Sequence, residues 1–352
     1  MRFLLPVIPV LAIMFSGTPS ALSQTTAVPW QQYMYEGMVM LYRQKITTLY
    51  NRGLYTQAID TAERALHFSK SAFGDRDPET ANILNDLALL YQVEGVYDDA
   101  EIFHKEALQI WESHFGKEHP TVAQALNNLG LLYQAQGRYK EALDLLERSL
   151  TIKTQLFGDD DTEVAAALNN LGRLYYNTGE YKRAAELYHR ALTIWEKNEE
   201  ENSLNIAKSL NNLALVYQAE ENYKKALELH KKGLAIRKKL FGESHPNVAT
   251  ALNNTATLLR KIGEFDKAEA LYKEALAIWE TAFGKDHVNV AKSLNNLALL
   301  YHNEGRKQEA MDLYRRSLSI LKTALGESHP STIIIASNLG NLQKEMNMEK
   351  KS

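Results

Sequence analysis

The stretch FGKEHPTVAQALNNLGLLYQAQGRYKEALDLLERSLTIKTQL, residues 115–156, decides the fold because the chain keeps repeating it. Six copies recur at a spacing of 42 residues. The turn glycine falls at Gly53, Gly95, Gly137, Gly179, Gly263 and Gly305, with Glu221 in the one missing place. An alanine follows at Ala58, Ala100, Ala142, Ala184, Ala226, Ala268 and Ala310. A fixed period of this length is the signature of a solenoid, whose units bury their apolar faces against one another.

Each unit reads as two helices. Val122, Leu126, Leu129 and Tyr133 form an i, i+4, i+7 stripe, and Pro120 suits the first helical position, where its missing N–H is not needed. After Gly137 a second stripe runs through Tyr139, Ala142, Leu143, Leu146, Leu150 and Ile152 to Phe157-Gly158, with the glycine placed for a left-handed cap. The small Gly130 and Ala142 allow the two helices a close approach. The fold expected is all-α, a right-handed α-solenoid of tandem antiparallel helix pairs.

The pattern L-N-N-L-[AG]-x-L-Y-x-x-x-G-x-Y-x-x-A, followed by A-L-x-I and F-G-x-x-H-P, stands nearly intact from Leu126 onward, with similar copies from Leu84, Leu168, Leu210, Leu252 and Leu294. These residues resemble the tetratricopeptide repeat, in its 42-residue kinesin-light-chain-like variety, over roughly residues 31–346. The resemblance implies a receptor or scaffold. It also implies that the first asparagine of each pair looks into the concave groove, while the second ties one repeat to the next.

Composition agrees with one continuous array. Hydrophobic residues make up 45% of the 352, enough for a long core, and no Ser/Gly linker divides it. A formal charge of −3 leaves no basic field for nucleic acid. The absence of cysteine removes disulfides, thiolate metal sites and a thiol nucleophile.

Residues 1–23 read as a secretory signal: Arg2, the apolar run Phe3–Phe15, and Ala21-Leu22-Ser23 before Gln24. Export to the periplasm or outside follows, with no membrane span after cleavage; an uncleaved membrane tether is the alternative. Residues 24–72 form a divergent capping helix pair, 73–324 hold six repeats, and 325–352 give a closing helix and a short polar tail. The fourth repeat breaks the pattern. Glu199-Glu200-Glu201-Asn202 replaces the Phe-Gly junction and Glu221 the turn glycine, marking a rebuilt connector or a hinge between two half-solenoids.

Ligand chemistry is sought on the unpacked face of the first helices. Asn85, Asn127, Asn169, Asn211, Asn253 and Asn295 would form a ladder of amides able to match the backbone of an extended peptide, since each offers donors and an acceptor. Specificity would come from Arg173, Tyr176, Lys208, Arg260, Lys261, Lys292 and His302, whose charge favours acidic peptides, as the resemblance also implies. Trp111, Trp195 and Trp279 share a column with Lys153, Arg237 and Leu321, and packing explains them better than cation stacking. His119, His245, His287 and His329 form another column, which spreads its members along the array instead of converging them on an ion, so these residues begin helices. No His-Glu-x-x-His, Gly-x-Ser-x-Gly or phosphate loop appears, and the carboxylates read as solvated helix faces. The reading is a non-catalytic scaffold for protein or peptide partners, without metal or cofactor. The alternative is a structural repeat protein that self-associates through apolar solenoid ends.

Overall fold

The computed structural model describes residues 30–349, which form fifteen helices and no strand. The expected signal and the last three residues lie outside the described residues. The helices pair as α1(Trp30–Asn51) with α2(Tyr55–Phe73), α3(Pro78–Glu94) with α4(Tyr97–Phe115), α5(Pro120–Ala135) with α6(Tyr139–Phe157), and α7(Thr162–Asn177) with α8(Tyr181–Glu196). Next come α9(Glu199–Ala219) with α10(Tyr223–Phe241), α11(Pro246–Lys261) with α12(Phe265–Phe283), and α13(Val288–Asn303) with α14(Lys307–Leu325). Then α15(Pro330–Glu349) closes the array alone.

The junction motif is a stop and a start in five residues. Gly116, at φ 83, ends α4 and donates its N–H to the Glu112 carbonyl. His119 is extended, and its Nδ1 accepts the Thr121 N–H at 3.2 Å, capping α5 ahead of Pro120. The Phe115 ring stacks on that imidazole, with centroids 4.4 Å apart. His245, His287 and His329 cap in the same way at 3.1 Å, while Asp77 and Asp161 do it with a carboxylate at 2.8 Å. The histidine column is therefore a column of helix caps.

Packing inside each hairpin follows the two stripes. Leu126, Leu132, Ala142 and Leu146 are fully or almost fully buried, and a buried leucine contributes roughly 1.5–3 kcal/mol. A Cβ on Gly130 would stand 2.9 Å from Leu146, and one on Gly172 would stand 2.9 Å from the Tyr188 ring. The small residue in the first helix thus makes the space that the large one in the second fills. Trp111, Trp195 and Trp279 are buried in the core, as are Lys153 and Arg237, so that column is packing.

At the irregular fourth repeat the chain does without the junction glycine. The second helix stops early at Glu196, Lys197 and Asn198 turn the chain, and α9 begins at Glu199 to run 21 residues. Glu199, Glu200 and Glu201 sit in its first turn, where the helix dipole favours negative charge. Asn202 is buried and donates to the Asn198 carbonyl at 3.0 Å. The connector is rebuilt as extra helix. Glu221 adopts the left-handed turn at φ 60, the one non-glycine among the described residues to do so.

Candidate functional site: the inner asparagine ladder

Successive odd-numbered helices touch each other more closely than successive even-numbered ones, so the odd helices form the inner, concave layer. Along that layer each repeat is tied to the last by one amide pair. Asn128 donates its Nδ2–H to Asn85 Oδ1 at 3.1 Å, Asn170 to Asn127 at 2.7 Å, and Asn212 to Asn169 at 3.1 Å. Asn254 donates to Asn211 at 2.7 Å, Asn296 to Asn253 at 3.0 Å, and Asn338 to Asn295 at 3.1 Å. The first step of the ladder uses charge instead, with Arg43 Nε 3.5 Å from Asp86 Oδ2. These are the two asparagine columns of the repeat, each rung crossing from one copy to the next.

This pairing corrects half of the expectation for the first column. The second asparagines tie the repeats together, and they do so through the carbonyl oxygens of the first, so those acceptors are occupied. What remains is the NH2 group. Nδ2 of Asn85, Asn127, Asn169, Asn211 and Asn253 has no partner among the described residues, and that of Asn295 reaches Asn296 Oδ1 at 3.3 Å. The concave face therefore carries a file of amide donors oriented by the rung behind each one, half-buried at Asn85, Asn169, Asn211 and Asn253 and buried at Asn127. Donors of this kind match carbonyl and carboxylate oxygens.

The residues expected beside the ladder fall into two groups. Arg173, Lys208 and Lys292 stay exposed and make no ion pair among the described residues. Burial by the surrounding walls nevertheless holds the pKa of Arg173 and of Lys292 below the ordinary values, although both side chains keep open surface. That combination marks a concave site, where a group meets solvent while protein surrounds it. The other four are engaged. His302 Nε2 lies 2.8 Å from Glu345, and Lys261 lies over the Tyr223 ring at 5.3 Å. Arg260 is half-buried beside Tyr272 and reaches Asn303, and Tyr176 packs on Tyr181 with centroids 5.7 Å apart. They brace the wall.

Two cavities open on this face. One of about 440 Å³ at the carboxyl end is lined by Thr250, Asn253, Lys292, Asn295, Asn296 and Ile334. Another of about 440 Å³ at the amino end is lined by Ile46, Tyr50, Asp86, Leu89, Gln92 and Val93. Both are lined largely by apolar surface; the first adds one cation, Lys292, and the second one carboxylate, Asp86. Burial pushes the Asp86 carboxyl up, against the lowering effect of Arg43. Among the described residues no group of three or more His, Asp or Glu side chains is arranged to hold a metal, and no helix is long and apolar enough to cross a membrane.

Two staples outside the ladder escaped the sequence reading. Glu101 accepts the Tyr133 hydroxyl at 2.9 Å, Arg138 at 2.5 Å and Lys105 at 2.6 Å, while Arg138 lies 3.9 Å from the Tyr133 ring centre. Glu269, Tyr301, Arg306 and Lys273 repeat the arrangement four copies later, with Arg306 at 3.6 Å from its ring. Burial pushes both carboxyls up, yet these hydrogen bonds outweigh it and hold them at about 2. The signal was present in the columns: Glu101 and Glu269 share a place that Leu143 and Leu227 fill elsewhere.

Comparison with known proteins gives a consistent answer. A family model described as tetratricopeptide repeat matches residues 38–113, 82–155, 121–197, 163–239, 205–281 and 248–323. Among solved structures, BtubC (BKLC) from P. vanneervenii is 24% identical, with a TM-score of 0.52 over 67% of this chain and 94% of that one. The apo form of RapI is 21% identical, with a TM-score of 0.56 over 81% and 97%. A Rap protein complexed with Competence and Sporulation Factor is 15% identical, with a TM-score of 0.52 over 88% and 99%. No curated protein matches the chain.

Proposed function

This chain belongs to the tetratricopeptide repeat family, and we propose that it is an exported, non-catalytic receptor that holds an extended, acidic peptide in its concave groove. The observation that carries the reading is the file of oriented amide donors with Arg173, Lys208 and Lys292 unpaired beside it. The amides serve the ligand's carbonyl oxygens whatever its sequence, and the cations select carboxylates. A Rap protein of similar fold is complexed with Competence and Sporulation Factor, so the architecture admits a ligand. Affinity should be modest, micromolar or about −8 kcal/mol, because a flexible peptide loses entropy on docking.

Peptide display against the protein beginning at Gln24 tests this. Enrichment of acidic, helix-poor sequences whose binding weakens with salt is the expected result; no enrichment, or enrichment of basic or purely apolar sequences, would reject it. Export rests on Arg2, Phe3–Phe15 and Ala21-Leu22-Ser23, and mass spectrometry of natively expressed protein should find Gln24 at the amino terminus.

A second reading has an observation of its own. The outer face of α1 exposes Tyr33, Met34, Met40 and Leu41, and α15 exposes Ile333, Ile334 and Met348. Both ends of the array are thus apolar, as self-association through the ends requires. Sedimentation over a range of concentrations separates the readings, since end-to-end association yields growing oligomers and a peptide receptor stays the size of its lowest-concentration form.

A further inference from the structure

The two ends of the ribbon meet. The hairpin turn at Gly53 lies against the His287 ring, where a Cβ would come within 3.0 Å of it, and Tyr55 packs onto the core formed by α11 to α15. One repeat later Gly95 lies against Pro330 and His329, at 3.1 and 3.2 Å from a Cβ built there. His329 Nδ1 accepts the Ser331 N–H, so the neutral ring carries its proton on Nε2 and donates it to the Val93 carbonyl at 3.2 Å. A cavity of about 410 Å³ between Arg52–Gln57 and Phe283–Val288 shows how lightly the edges touch. Both contacts join a hairpin turn to an inter-hairpin junction at the same interval along the chain, between five and six repeats. The superhelix has completed one turn and closed on itself.

We propose that this edge contact is a clasp that turns the open groove into an axial bore, so that the ligand must be a single peptide segment, not a folded domain, entering along the axis. The proposal rests on reading the concave face as the ligand site. Five to six inner helices placed side by side around a ring leave a central opening about one helix wide, roughly 10 Å. Such a bore gathers the amide file around one segment from successive sides and excludes a folded domain. It also accounts for Arg173 and Lys292, which are open to solvent and desolvated at once.

The repeat supplies its own controls. Gly137 and Gly179 hold the same left-handed turn as Gly53 and Gly95, but a Cβ there meets nothing. Gly53→Ala with Gly95→Ala should therefore part the clasp, whereas Gly137→Ala with Gly179→Ala carries the same backbone strain and should leave it shut. Because the chain has no cysteine, spin labels on Gln57→Cys and Lys285→Cys report the gap directly. The expected result is a short, narrow distance distribution in the parent and the control, and a longer, broader one in the clasp variant. A distribution unchanged by Gly53→Ala with Gly95→Ala, or shifted equally by the control, overturns the clasp.

The bore is tested on the same proteins without any peptide. A single cysteine at Gln124, exposed on the inner face, is compared with one at Lys140, exposed in the first turn of α6. A small maleimide should label both. A maleimide carried on a small folded protein should label Lys140→Cys but reach Gln124→Cys only when the clasp is parted. Equal labelling of both by the bulky reagent in the closed protein would refute enclosure, while the peptide reading would stand or fall separately on display.

Discussion

Two histidines should make the protein sensitive to mild acid. His104 and His230 occupy the column that Leu146, Tyr188, Tyr272 and Tyr314 fill in other repeats. Their rings are 1% and 3% exposed, and Nε2 of each lacks a partner. Burial holds both at about 4, below the ordinary 6.5, with Arg237 adding to the effect on His230. The unfolded chain takes up a proton on each ring as pH falls through 6.5, and the folded chain does not until about 4. Stability is therefore complete above 6.5 and lost on the way down, by about 2 kcal/mol per ring at pH 5. Asp86 and Glu94, raised by burial, oppose this trend equally in parent and variant. Urea midpoints should fall between about pH 7 and pH 5 in the parent and much less in His104→Leu with His230→Tyr, each taking a residue that the column already uses. An equal fall in the double variant would show that neither ring is the cause.

Other substitutions test other levels of the account. Glu221→Gly relieves a left-handed non-glycine residue and should raise stability by about 1 kcal/mol, seen as a higher melting temperature. Glu101→Gln should cost about 2 kcal/mol at neutral pH, because charge-assisted bonds to Arg138 and Lys105 become neutral ones. The parent should lose the same increment as pH falls from 4.5 toward 2, the window in which a depressed carboxyl regains its proton, and the variant should not.

The repeat, its two helices, the junction caps and the packing of the tryptophan column were legible because each depends on residues within one copy. The ladder needed two copies read together. Its clue was a compensating exchange: Arg43 stands in the first asparagine column and Asp86 in the second column of the next copy, so an ion pair replaces an amide pair. Arg260, Lys261 and His302 looked like free groove cations because a column shows spacing but not the neighbour that will engage it; Asn303, Tyr223 and Glu345 do so. The clasp was beyond reach. It depends on small rotations accumulated over more than five hairpins, and no local pattern encodes their sum.

The central claim is that the inner amides and the three unpaired cations bind an extended acidic peptide. Calorimetric titration of one display-selected acidic peptide against the parent and against Arg173→Gln with Lys208→Gln and Lys292→Gln tests it most directly. These side chains make no ion pair among the described residues, so the melting temperature should hold while affinity falls and most of its salt dependence disappears. A variant that binds as tightly as the parent, with the same dependence on salt, would contradict the claim and remove the groove as the site.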